Sequence, residues 1–383
     1  MCRGFCGGIM TKIYLVRHAE AEGNLYRIAQ GQYDSIITDR GYRQIEALRR
    51  RFEDVPVNAV YSSDLYRCCV TAEAVCGPKQ LPLHKRRDLR EISVGDWEQK
   101  TWGELAREDP QQLTNFTRRL DRWHVSGAET PEQVRDRVLS AVREIAAENE
   151  GGTAAVFSHG CALRILLGTL QGYDIAQLGE TPHGDNTAVS LLEAEGDGLR
   201  VVFRDDVSHL KDGLSTFEKQ EWWKHPNAVE PGLYFRRIAL PEQKDFLDGC
   251  VSSAWADIGG ELSYDPEMLL KEAAARPTLA ALLEEVPVGV LQLNPEKERE
   301  KDYGWISLYC MDQAYRSRGL GIQLLGQAVQ YYRPLGRKKL RLKLRKENDA
   351  AARFFADYGF RPSGPSPDGW EVWEKDIGYR PEM

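Results

Sequence analysis

Through the first two hundred residues, short apolar runs alternate with amphipathic stretches. Residues 12–16 (KIYLV) form an apolar run that breaks off into Arg17 and His18, which predicts a buried strand. Thr38 opens a helical stretch to about Phe52, with its hydroxyl placed to cap the first turn. Residues 57–61 predict a second strand and 64–75 a helix. Thr130-Pro131 opens another helix, with Thr130 as cap and proline in the first turn. Residues 153–157 predict a third strand, 161–170 the helix after it, and 186–192 with 199–204 a closing pair of strands. Strand and helix in alternation imply an α/β layered domain with a mostly parallel sheet.

The pattern breaks between about 208 and 232. Residues 211–231 have no clean period and read as a linker, with Trp222-Trp223 expected to pack between domains. A second pattern of the α+β kind follows. Residues 286–293 and 305–311 predict strands, 320–332 a helix, and 339–344 a strand in which basic residues alternate with leucine, leaving one solvated basic face. Residues 349–358 predict a helix stopped by Gly359. The expected domains are therefore 10–210 and 232–383, joined by a linker at 211–231.

Composition narrows the classes. The 383 residues carry 51 basic and 58 acidic side chains, a net charge of −7, and neither half has a basic excess, so no nucleic-acid partner is expected. No run approaches 18 apolar residues, so no membrane partner is expected either. The eight cysteines include no C-x-x-C pair and no zinc spacing, which points to a reducing cytoplasm rather than a disulfide scaffold. The stretch ahead of Met10, including Cys2 and Cys6, is too short for a secretory leader and reads as a tail or an upstream start.

The chemistry gathers where strands end. Arg17-His18 follows the first strand, Ser62 to Arg67 the second, and Ser158-His159-Gly160 the third. In an open α/β sheet the carboxyl ends of strands carry ligands, so two arginines and two histidines converge on one edge. That is an anion pocket: arginine matches phosphate oxygens bidentately and stays charged at any working pH.

Four ordered blocks make the resemblance specific. Leu15-Val16-Arg17-His18-Ala19-Glu20 is similar to the signature of the histidine phosphatase superfamily, the phosphoglycerate-mutase-like fold. Asn24, Gln30-Gly31, Asp34 and Thr38-Asp39-Arg40-Gly41 continue it. Ser62 to Arg67 with Thr71-Ala72-Glu73, Leu89 to Glu98, and Phe157-Ser158-His159-Gly160 match its later blocks. Ala19 and Gln99 replace commoner glycines without removing a reacting group. The resemblance covers about residues 12–210 and implies an α/β/α sandwich. It also implies His18 as nucleophile, Glu91 as general acid and base, and Arg17, Arg67 and His159 as holders of the phosphoryl oxygens. Asn24 and Gln30 join Arg17, Arg67 and His159 as substrate-binding residues. The implied reaction is metal-independent hydrolysis of a small phosphorylated metabolite through a phosphohistidine, with phosphatase favoured over mutase.

In the second half, Arg316-x-x-Gly319-x-Gly321 opens a helix, where free N–H groups and the dipole favour a pyrophosphate. A dinucleotide fingerprint needs a third glycine and an acid about 20 residues on, and both are missing. The loop resembles the acetyl-CoA loop of the GNAT acetyltransferase superfamily, and residues 348–360 its following helix. This implies an α+β acyl-CoA-binding domain using acetyl-CoA and an amine acceptor. Met311, Arg316, Arg318, Gly319, Gly321 and Asn348 would hold the cofactor, with the strand edge at 309–311 pairing its pantetheine arm. Phe355 stands where many relatives carry a tyrosine acid, which makes a non-catalytic CoA-binding or interaction module the alternative reading of this half. The base for the acceptor is left among Glu284, Glu285 and Asp312. Variable loops at 102–123 and 239–276 would set specificity in the two halves.

Overall fold

The computed structural model describes residues 10–219, 232–256 and 265–379. Cys2, Cys6, Trp222 and Trp223 lie outside the described residues. The chain divides into two compact units, residues 10–100 with 108–219, and 101–107 with 232–379.

The first unit runs β1 (Thr11–Arg17), α1 (Glu22–Tyr26), α2 (Asp39–Arg51), β2 (Ala59–Ser63), α3 (Tyr66–Lys79), β3 (Leu83–Arg86), α4 (Trp102–Glu108), α5 (Pro110–Arg118), α6 (Pro131–Glu148), β4 (Thr153–Ser158), α7 (Gly160–Leu170), β5 (Val189–Glu195) and β6 (Gly198–Asp206). Most of α4, residues 102–107, belongs to the second unit. The stretch 102–123, expected to set specificity in the first half, is thereby divided between the two units.

The sheet order is β3–β2–β4–β1–β5–β6, with the first four strands parallel and β5 and β6 antiparallel at one edge. The central strands are apolar because both faces are covered. β4 is buried along its whole length, and Ile13 and Leu15 of β1 are fully buried. Truncating either to alanine costs about 2–5 kcal/mol. α6 shows the matching helical period: Val134, Val138, Ala141, Val142 and Ile145 form its buried stripe. Thr130 and Gln133 cap its start reciprocally, side chain to backbone in both directions. Thr38 caps α2 by accepting from Gly41 N at 3.0 Å.

Residues 211–219 depart from the linker reading. Gln44 Nε2 donates to Leu214 O at 2.8 Å and to Thr216 Oγ1 at 3.0 Å, which ties this stretch onto the first unit. Gln44 is fully buried and its amide takes the partners this stretch offers.

The second unit adds β7 (Leu233–Arg237), α8 (Lys244–Ala256), α9 (Pro266–Ala275), β8 (Thr278–Leu283), β9 (Val286–Asn294), β10 (Tyr303–Met311), α10 (Ile322–Tyr332), β11 (Lys339–Leu344), α11 (Asp349–Asp357), β12 (Arg361–Pro365) and β13 (Glu371–Asp376). Its sheet order is β12–β13–β11–β10–β9–β8–β7, with only β10 and β11 parallel. That parallel pairing spans 303–305 against 339–341, after which β10 runs on to Met311 paired with β9 alone. In β11 the leucines point inward while Lys339, Arg341 and Lys343 face Glu374, Glu298 and Asp368. The basic stripe is a salt-bridged outer face.

Candidate active site

Because β1, β4 and β2 are parallel neighbours, their carboxyl ends share one edge of the sheet. Arg17 ends β1 in register with Ser158, which ends β4, so His18 and His159 leave side by side. Their ring centroids are 5.3 Å apart. β2 ends at Ser63, and Arg67 sits in the first turn of α3. The structure thus brings together residues that are up to 142 positions apart along the chain, from Arg17 to His159.

His18 is buried, and its Nδ1 lies 2.8 Å from the carbonyl oxygen of Ala19. A carbonyl only accepts, so Nδ1 carries the proton and Nε2 keeps its lone pair. Burial, then Arg67 and Arg17, hold the His18 pKa well below the usual imidazole value. The ring is therefore neutral at pH 7. His159 is likewise held low by burial, Arg67 and His18, and its Nε2 lies 2.8 Å from Ser63 Oγ.

Arg67 is fully buried. Its terminal nitrogens donate to Gly31 O at 2.7 Å and Tyr33 O at 2.9 Å. Those carbonyls face the fork because Glu98 gathers the opposite side of the loop, accepting from the N–H groups of Gly31, Gln32 and Tyr33. Arg17 donates to Gly184 O at 2.5 Å. Nε of Arg17 and Nε of Arg67 are both buried and have no hydrogen-bond partner. Two buried charged donors with no acceptor among the described residues thus stand near a neutral imidazole.

Glu91 is 8% exposed and sits at the N-terminus of α7, where Oε2 accepts from Cys161 N at 3.0 Å and Oε1 from Ala162 N at 2.8 Å. Asn24 spends Oδ1 on Ala21 N and Asn186 Nδ2, which leaves its amide N–H groups to donate. Gln30 Oε1 accepts from Ser35 Oγ at 2.7 Å, and its amide packs over Gly23. The pocket also uses residues that were not singled out from the sequence. Ser63 orients His159, and Asn186 Nδ2 holds His18 O at 2.9 Å. Ser63 lay in a block already quoted, whereas Asn186 was assigned to a strand that in fact starts at Val189.

In the second unit, Ser317 has φ 59° and Gly319 φ 73°, so the chain turns sharply into α10. The N–H groups of residues 317–321 donate to no backbone carbonyl among the described residues. Gly319 faces open space, where a Cβ would meet nothing within 4 Å, whereas a Cβ at Gly321 would touch the Phe354 ring at 3.6 Å. Arg316 folds back onto Met311 O at 2.9 Å and Ser253 Oγ, bracing the loop, while Arg318 is exposed and stacks over Tyr315. Asn348 caps α11, accepting from Ala351 N at 3.0 Å, so its Oδ1 is committed to the helix. Phe355 is 4% exposed, packed among Tyr309, Phe354 and Phe360. Asp312 accepts from Ala314 N and Glu285 pairs with Arg107.

Among the described residues, no group of three or more His, Cys, Asp or Glu side chains is arranged to hold a metal ion. No described helix is long and apolar enough to cross a membrane.

These two constellations define a phosphate-handling α/β unit and an acyl-CoA-type α+β unit. The model of the histidine phosphatase superfamily (branch 1) matches residues 13–207, and that of the acetyltransferase (GNAT) family matches residues 243–360. The chain belongs to the histidine phosphatase superfamily, with a phosphoglycerate-mutase-like first unit, and it carries a GNAT domain after it. The "Probable phosphoglycerate mutase GpmB" of Proteus mirabilis is 29% identical over 208 residues, 53% of this chain and 96% of the relative. The "Putative phosphoserine phosphatase 2" of Hydrogenobacter thermophilus is 27% identical over 202 residues, 53% of this chain and 98% of the relative. The solved structure of Bacillus stearothermophilus YhfR is 34% identical, with a TM-score of 0.51, covering 52% of this chain and 98% of that one.

Proposed function

We propose that the first unit is a phosphomonoesterase acting on a small phosphorylated metabolite through a phosphohistidine. His18 Nε2 attacks phosphorus and the ester P–O bond breaks, its electron pair leaving on oxygen. Glu91 gives that oxygen a proton. Glu91 then takes a proton from water, the water oxygen attacks phosphorus, and the P–N bond breaks to release phosphate and neutral His18. Arg17, Arg67 and His159 hold the phosphoryl oxygens as charge shifts, and Asn24 adds a neutral donor.

The pair of unpartnered Nε donors of Arg17 and Arg67 flanking His18 carries this reading. A buried charged donor left without an acceptor costs about 1–3 kcal/mol or more, which a bound phosphoryl group returns. The test is turnover of p-nitrophenyl phosphate by the full chain, acid-sensitive label being trapped and mapped by mass spectrometry. Label on His18 and stoichiometric free phosphate are expected; label elsewhere overturns the assignment. The name of the P. mirabilis relative favours a second reading, a mutase. It predicts isomerisation of a phosphoglycerate with no phosphate released.

The second unit is proposed to transfer acetyl from acetyl-CoA to an amine. The amine nitrogen attacks the thioester carbonyl, the C–S bond breaks with its electron pair leaving on sulfur, and the surplus proton on nitrogen passes to water, which returns a proton to the thiolate. The unpaired edge of β10 and the open N–H groups at 317–321 support binding of the arm and pyrophosphate. Phe355 offers no proton, and a thiolate of near-neutral basicity leaves without one. Calorimetry with acetyl-CoA checks binding, and an amine screen checks turnover.

A further inference from the structure

Residues 214–217, which follow the last strand of the first unit, are strapped onto its phosphoryl site. Gln44 of α2 holds Leu214 O at 2.8 Å. Thr216 Oγ1 accepts from Gln44 and donates to Glu20 Oε2 at 3.2 Å. Ser215 Oγ donates to Asp185 Oδ2 at 2.6 Å, and Phe217 N to the same oxygen at 3.4 Å. Thr216 and Phe217 are 2% and 7% exposed, so the strap is packed down. It ends with the Phe217 ring facing the Arg17 guanidinium, 5.6 Å from its carbon to the ring centroid.

Arg17 needs such a wall. Among the described residues its guanidinium has one hydrogen-bond anchor, Gly184 O, and its Nε has none. A guanidinium held at one end swings about its last bonds, and a planar aromatic face removes that freedom while favouring the charge. The two supports are also linked. Asp185 follows Gly184, which anchors Arg17, and pins the strap that carries Phe217. Burial pulls the Arg17 pKa down, and Asp185 is the carboxylate that opposes this most.

We infer that Phe217 is a positioning residue for phosphoryl binding: its ring, held by the 214–217 strap, fixes the plane of the Arg17 guanidinium over the anion. This rests on the phosphatase reading above.

The test uses the full chain and inhibition by orthovanadate, an anion shaped like the transferring phosphoryl group. Phe217→Leu keeps apolar bulk but removes the ring face and is expected to weaken inhibition about tenfold. Phe217→Tyr keeps the face and is expected to stay within about twofold of the parent. Ser215→Ala, which unpins the strap without touching ring or cation, is expected to weaken inhibition about threefold. In a double-mutant cycle, Arg17→Lys and Phe217→Leu together are expected to lose little more than Arg17→Lys alone, because both remove one interaction. A purely structural role for Phe217 predicts that leucine and tyrosine track the unfolding temperature and that the cycle is additive. Either result overturns the inference, and so does unchanged vanadate inhibition in Phe217→Leu. Absence of vanadate inhibition in the parent chain overturns the phosphatase reading itself, and the strap's role falls with it.

Discussion

In the proposed function the two units hold phosphate-bearing molecules with different parts of the chain. The first builds its pocket from side chains: two guanidinium groups, two imidazoles and a carboxylate, delivered by separate strands and helices and mostly buried. The second builds its cradle from main chain: N–H groups at 317–321 and a strand edge that has parted from its neighbour. A side-chain pocket supplies reactive groups and fixed charges, and it depends on each residue's identity. A main-chain cradle supplies donors of one kind, and it depends on backbone conformation more than on which side chains are present. The number of charged side chains in a segment therefore says little about the second kind of site. Arg316 and Arg318, the visible cations of that loop, are engaged with Met311 O and with the Tyr315 ring.

That contrast can be broken most directly at His18. His18→Ala is expected to lower phosphate release by at least about 10⁴-fold, with acetyl-CoA affinity unchanged by calorimetry. Surviving hydrolysis would remove the nucleophile from the scheme. Next, Arg67→Lys keeps the charge but loses the fork that reaches Gly31 O, Tyr33 O and the anion together. A fall in kcat of about 10²–10³-fold is expected with p-nitrophenyl phosphate. A variant with near-normal kcat would mean that charge alone suffices. In the second unit the sensitivity should invert. Gly319→Ala forces a side chain into φ 73° and is expected to raise the acetyl-CoA Kd about tenfold. Arg318→Ala should change it less than about threefold. The reverse order would show that side chains, not the backbone, hold the ligand.

The smallest effect concerns acid stability. His18 and His159 are held well below the usual histidine value by burial first, and burial with Arg51 lowers His209 to about 4. Above pH 6.5 these groups are neutral in both folded and unfolded chains and contribute nothing. As pH falls below 6.5 the unfolded chain takes up protons that the folded one refuses, so stability falls. Calorimetric scans from pH 7 to 4.5 should show the first unit's transition moving down. The second unit's described residues contain no histidine, so its transition should move less. His209→Gln should make the first unit's decline shallower.

Much of the site was legible before the fold was known. Strand ends are marked by where apolar runs stop, so Arg17-His18 and His159 stand out. Thr38 and Thr130 announced their helices through local capping, which involves neighbours in sequence. What the sequence did not show has a common cause. Gln30 sits in a matching block, yet Ser35 and the bare backbone of Gly23 take its amide, and that is a matter of local packing. Asn348 matches the expected helix start and is used there as its cap. Asn186, Ser63 and Glu98 work by holding other residues, and nothing in their spacing marks a residue that acts through another.

Residues 211–219 make the same point from the opposite side. They lack period and apolar runs, which is why they read as a connector. Their place is set by single hydrogen bonds to Gln44, Glu20 and Asp185, each more than 25 positions away in the chain.

The order of strands and helices, the two-domain plan and the placing of Arg17-His18 and His159 at strand ends were written in local pattern, because period, capping and abrupt polar stops act between near neighbours. Tertiary structure alone decided which donors remained without partners, how β10 and β11 separate past Trp305, and that Phe217 comes to rest on Arg17. Those outcomes depend on what distant segments bring to a buried place, where every polar group must find an acceptor or wait for a ligand.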